Sequence, residues 1–153
     1  MTGFGPAQVK EILPHRPPML LIDQVVDLKP GEWVTAVKAI TVEATWYEGV
    51  VGPDHSYPGS LVFESFGQAA AILLADTWRP ENGMAGDVPV LGGLSGVHFD
   101  RPVVPGDIVQ HHVHIDRIVN DNAIVHGHST VGDQTVMRVD RVLLALRPRH
   151  QVR

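Results

Sequence analysis

One acid stands out in the run PGSLVFESFGQAAAILLADTW: Glu64, whose neighbours are mostly apolar or small. A carboxyl group taken out of water holds its proton more firmly, which suits it to deliver that proton as a general acid. Gln68 follows one helical turn later and would present its amide to the same face. Tyr57-Pro58-Gly59-Ser60 leads into the run. Glycine there permits close approach by a backbone or a ligand, and the unpaired N–H groups of a helix start could polarise a carbonyl oxygen. His55, nine positions before Glu64, is the one imidazole of the preceding loop, and its ordinary pKa near 6.5 suits a general base. Each residue also has a plainer reading. Glu64 would sit well in the first turns of a helix facing a wet groove, Pro-Gly is an ordinary helix entry, and a lone loop histidine is commonly a solvent-exposed bystander.

A second set of imidazoles lies further on. His112 and His114 alternate on one predicted strand, His126 and His128 on the next, so an aligned hairpin would cluster all four and could bind zinc. Strand alternation puts a polar outer face at these positions in any case, with Gln110 and Asp116 beside them. The solvated face is the preferred reading, and no metal is expected.

These groups need elements to hold them. Residues from about Ser60 to Trp78 carry no proline and one glycine, with apolar side chains on every side of the helical wheel, the pattern of a buried helix. VKEIL predicts one or two helical turns, stopped by Pro14, Pro17 and Pro18. MLLIDQVVDL and EWVTAVKAITV, separated by Lys29-Pro30-Gly31, predict a hairpin. After a loop marked by Asn82-Gly83 and Gly86, four strands follow: VPVLGGLSGVHF, DIVQHHVHIDRIV, NAIVHGHSTV and QTVMRVDRVLLAL. Pro105-Gly106, Asn120-Asp121 and Gly132-Asp133 divide the last three from what precedes each. The expected class is α+β, a curved antiparallel sheet around one long helix, with a second copy or a relative covering what the sheet leaves open.

The bulk composition narrows the chemistry. A chain of 153 residues, 44% hydrophobic, suits one domain over 1–153. No run approaches a membrane span and MTGFGPAQVKEI has no signal-peptide pattern, so a soluble cytoplasmic protein is expected. The chain has no cysteine, which excludes thiol nucleophiles and thiolate metal sites. A net charge of −5, with basic residues scattered apart from the tail RPRHQVR, argues against nucleic acid.

Three ordered stretches together resemble the β-hydroxyacyl-[acyl carrier protein] dehydratases: EILPHRPPMLLIDQVVDLKPG, PGSLVFESFGQAAAILL and GVHFDRPVVPGD. The resemblance implies a hot-dog fold, a dimer of hot dogs or a trimer of such dimers, and removal of water from a β-hydroxyacyl thioester without a cofactor. It implies that Glu64 assists departure of the hydroxyl, that Gln68 is its helix-face neighbour and that Gly59 donates to the thioester carbonyl. An apolar tunnel beside the helix would be lined by Phe63, Phe66 and Leu94, with the carrier's phosphopantetheine entering near Arg101-Pro102. The family's catalytic His, aligned without gaps onto GVVGPDHSYPG, falls on Val50. Either His55 supplies the base through a rearranged loop, or a related partner subunit brings the His in a heterodimer. Two other readings stand beside dehydration: a hot-dog thioesterase, and a non-catalytic acyl-binding subunit.

Overall fold

The computed structural model of the chain describes residues 3–41, 55–78 and 86–152. Two helices and six strands follow in order: α1 (Pro6–Ile12), β1 (Gln24–Lys29), β2 (Trp33–Ala39), α2 (Gly59–Trp78), β3 (Asp87–Phe99), β4 (Ile108–Val119), β5 (Asn122–Val131) and β6 (Gln134–Pro148). One curved sheet runs β1-β2-β4-β5-β6-β3, each neighbouring pair antiparallel, and α2 lies against β1, β2, β4 and β5. This is the curved sheet around one helix that the apolar helix and the alternating strands imply, and the hot-dog architecture that the family resemblance implies. Val50 and the Asn82-Gly83 turn lie outside the described residues.

Local stereochemistry explains where the strands turn. Gly31, Gly106 and Gly132 have positive φ at three of the four predicted turns, and Asn120, the non-glycine type that best tolerates that region, takes φ 53° at the fourth. β1 is shorter than MLLIDQVVDL predicts, starting at Gln24 rather than Met19. At Met19 and Leu21 the backbone pairs with a side chain instead of a strand: Leu21 N–H donates to Gln68 Oε1 at 2.9 Å, and Met19 C=O accepts from Gln68 Nε2 at 2.7 Å.

The α2 helix is buried where its pattern is most apolar, through Phe66 and the run from Ala69 to Ala75. Phe66 is fully buried, and its ring meets the His111 ring edge-on at 6.2 Å. His111 is a polar group inside this core. It occupies the inward face of β4 between Val109 and Val113, with Ser65 Oγ 2.6 Å from Nε2 and Ser129 Oγ 2.7 Å from Nδ1. Both ring nitrogens are thereby satisfied, as a buried polar side chain requires, and the serines tie α2 to β4 and β5.

Packing is closest where β5 passes under the helix. A Cβ on Gly127 would run into the His112 carbonyl and come within 3.0 Å of the Phe66 ring. Backbone cannot yield as a flexible side chain does, so Gly127→Ala should cost about 1–3 kcal/mol. Thermal melting would read this as a drop of several degrees; an unchanged melting temperature would contradict such tight packing.

At the other end of the sheet β3 is an edge, with Leu91, Leu94 and Phe99 each about half exposed. Among the described residues no helix is long and apolar enough to cross a membrane.

Candidate functional site

The Glu64 carboxylate accepts a hydrogen bond from its own helix. Gln68, one turn on, donates from Nε2 to Glu64 Oε1 at 3.1 Å, while its other amide contacts go to Met19 and Leu21. Both N–H groups of the amide are thus engaged within the chain, and Gln68 orients Glu64 and clamps residues 19–21 to α2.

The clamp brings in a residue that sequence reasoning passed over. His15, four residues before Met19 in the proline-rich connection, places Nε2 3.6 Å from Glu64 Oε1. Its side chain is 27% exposed and that of Glu64 41%, so Glu64 is less desolvated than its apolar neighbours in sequence suggest. Burial holds the His15 imidazole below its ordinary value of 6.5, partly opposed by the Glu64 carboxylate. The neutral ring is thus favoured at neutral pH. Nothing in LPHRPP marks this histidine locally, because its meeting with Glu64 depends on a fold-wide contact.

His15, Glu64 and Gln68 border a cavity of about 180 Å³ whose remaining wall is apolar, including Phe63, Ala71, Leu91 and Leu144. Phe63 borders this cavity. Phe66 does not: three residues further round the helix, it points into the sheet and belongs to the core. Leu94 borders a separate hollow with Arg141 and Leu143, beyond the β3 irregularity between Leu91 and Gly93, and Leu91 takes the position on the Glu64 cavity instead.

Gly59 opens onto a different space, a cavity of about 430 Å³ shared with Ser56, Phe99, Arg101 and Pro102. Five residues separate it from Glu64, which turns it about 140° round the helix. The group closest to it is its own chain's Phe99, whose ring would lie 2.9 Å from an added Cβ. One chain therefore does not bring Gly59 and Glu64 to one hollow. His55 is exposed, has φ 56°, and is not among the described residues lining the Glu64 cavity.

The four outer imidazoles do align. His112 pairs with His128 and His114 with His126 across β4 and β5, their rings stacked at 4.8 and 5.4 Å. Among the described residues no three His, Asp or Glu come together in the way a metal ion needs.

A family model for the FabA-like domain matches residues 13–140, a span that includes His15, Glu64 and every strand up to the middle of β6. A curated relative from Oenococcus oeni, 3-hydroxyacyl-[acyl-carrier-protein] dehydratase FabZ, is 33% identical over 90% of this chain and 96% of its own length. The chain belongs to this family. A FabZ from Acidiphilium cryptum is 40% identical over 72% of this chain and 66% of its own. Among solved structures, a chain of the dehydratase heterocomplex ApeI:P from Xenorhabdus doucetiae superposes with a TM-score of 0.79 at 17% identity, covering 94% of this chain and 93% of that one. At that identity the likeness speaks for the fold. Val50 is the position onto which the resemblance drawn from the sequence puts the family's catalytic His, and among the described residues the imidazole beside Glu64 is His15.

Proposed function

We propose that the chain dehydrates β-hydroxyacyl thioesters carried on an acyl carrier protein, in fatty acid or polyketide assembly, with Glu64 protonating the departing hydroxyl. One observation carries the reading: in a member of the FabA-like family, Glu64 stands at an apolar cavity with its orientation set by Gln68. The apolar wall suits the acyl chain, and an acid poised beside it suits loss of water from the β-carbon. The elimination needs an acid, a base and positioned N–H groups, and no cofactor is part of the proposal. The protein would work in the cytoplasm, in keeping with its lack of cysteine.

A second hot-dog chain, a copy or a relative, would lie along β3. Support comes from the exposed apolar residues of that edge and from Leu91, which is half exposed and also lines the Glu64 cavity, so that a chain set there would close it. The chain of similar fold in ApeI:P is part of a dehydratase heterocomplex. Gly59 of one chain would then serve as carbonyl donor to Glu64 of the other, since the two residues face different hollows within one chain.

The test is the product formed from a β-hydroxyacyl carrier-protein substrate. Dehydration gives an α,β-unsaturated thioester with no free thiol, seen by mass spectrometry as loss of one water. Release of the carrier's thiol with the hydroxyacid would instead identify a thioesterase and sink the proposal.

A further inference from the structure

We propose that His15 is the general base of this chain's own dehydration site, acting with Glu64 of the same chain, so that no loop imidazole from a partner is required. The inference rests on the dehydratase reading above and assigns the residue that this reading leaves open.

Geometry carries it. The Nε2–Oε1 separation of 3.6 Å lies just beyond direct hydrogen-bond length, so neither atom is consumed by the other. Both side chains border the same apolar cavity, where they are the only charged or titratable groups among its described lining residues. The second ring nitrogen is unusual. Nδ1 of His15 is buried with no hydrogen-bond partner among the described residues, so no contact with those residues fixes which ring nitrogen holds the proton. With Nδ1 unpinned, the ring can carry its proton there and turn the Nε2 lone pair towards the cavity. Its backbone is nonetheless fixed on both sides. Arg16 Nη1 donates to the Leu13 and His15 carbonyls at 2.9 and 2.6 Å, and the Gln68 clamp holds Met19 and Leu21. An imidazole free at its ring nitrogens but fixed at its backbone is ready for proton transfer.

The reaction closes on these two groups. The step uses His15 in the neutral form, favoured by its burial, and requires the exchangeable proton of the pair to sit on Glu64. Nε2 takes the proton from the α-carbon, the C–H electron pair becomes the new Cα=Cβ bond, and the Cβ–O bond breaks. The departing hydroxyl takes the Glu64 proton and leaves as water. The His15 imidazolium then returns its proton to the Glu64 carboxylate across the short gap between them, and both groups are restored. The net change is loss of one water from the substrate.

The experiment uses the purified chain alone, a β-hydroxyacyl thioester of N-acetylcysteamine and the same acyl group on a carrier protein. We compare wild type, His15→Asn, and His15→Gly with and without added imidazole. The expected result is an α,β-unsaturated product from wild type, a loss in kcat of about 10²–10⁴-fold in His15→Asn with little change in KM, and partial recovery of His15→Gly by imidazole. Recovery by a free base is not expected of a residue that only supports the fold. Three outcomes overturn the assignment and leave the dehydratase reading intact: unchanged turnover in His15→Asn, lost turnover that imidazole does not restore in His15→Gly, or a wild-type chain active only after mixing with a dehydratase subunit that retains the loop His. Release of free thiol, or silence in every mixture, overturns both.

Discussion

Replacing Glu64 with Gln should lower formation of the α,β-unsaturated thioester by about 10²–10⁴-fold while leaving the fold in place. The substitution keeps the size and shape of the side chain, and an amide oxygen can still accept from Gln68 Nε2, now 3.1 Å from Glu64 Oε1. What disappears is the exchangeable carboxyl proton. Glu64 is partly exposed at a cavity rim and does not carry the core, so the melting temperature should barely move, in line with substitutions that leave buried contacts alone. A parallel assay of turnover and thermal melting separates lost chemistry from lost structure. Full activity of the working assembly after Glu64→Gln would mean that this chain contributes binding or scaffolding and that the acid lies elsewhere.

The second large effect concerns stability and comes from His111. Its imidazole is fully buried, and desolvation, aided by the neighbouring His112, pushes its pKa down from 6.5 to about 3. In the unfolded chain it would take up a proton as the pH falls through 6.5, whereas the native state refuses that proton until about 3. The unfolded state therefore binds more protons throughout this window. The contribution of His111 to stability is complete above 6.5 and declines as the pH falls below it, at up to about 1.4 kcal/mol per pH unit. Denaturant unfolding between pH 7 and about 5 lies ahead of most carboxylate titration, and because His15, His112 and His114 are also held below 6.5, the effect of His111 is read as the difference in slope between wild type and a His111 variant. A His111→Gln variant should be less stable at pH 7, because the contacts with Ser65 and Ser129 change, yet show a flatter dependence on pH. Parallel slopes in the two proteins would mean that His111 is not the group responsible.

Much of the fold was legible because its signals are local. A helix apolar on every side was expected over about Ser60–Trp78 and is found at Gly59–Trp78. The turns at Gly31, Gly106, Asn120 and Gly132 were marked by residues that tolerate positive φ, and alternation between them set the strand faces. His111 could have been found by the same rule: the alternation that puts His112 and His114 outside puts His111 inside with Val109 and Val113. Glu64 was legible as an acid placed where apolar residues prevail. The ordered motifs pointed to the FabA-like family, which the match over residues 13–140 bears out.

What the chain by itself determined, then, was the set of elements, their order and the family, since these depend on φ/ψ preferences, side-chain periodicity and motif spacing within short stretches. Only the tertiary structure decided which side chains share a space. Gln68 reaches back to Met19 and Leu21 and so brings His15 to Glu64, Phe66 turns into the core while Phe63 faces the cavity, and Gly59 opens onto a different hollow from Glu64. Such meetings are set by how a helix rotates against a sheet and by which long-range hydrogen bonds anchor it. No local pattern records that rotation, because it results from the packing of the whole core.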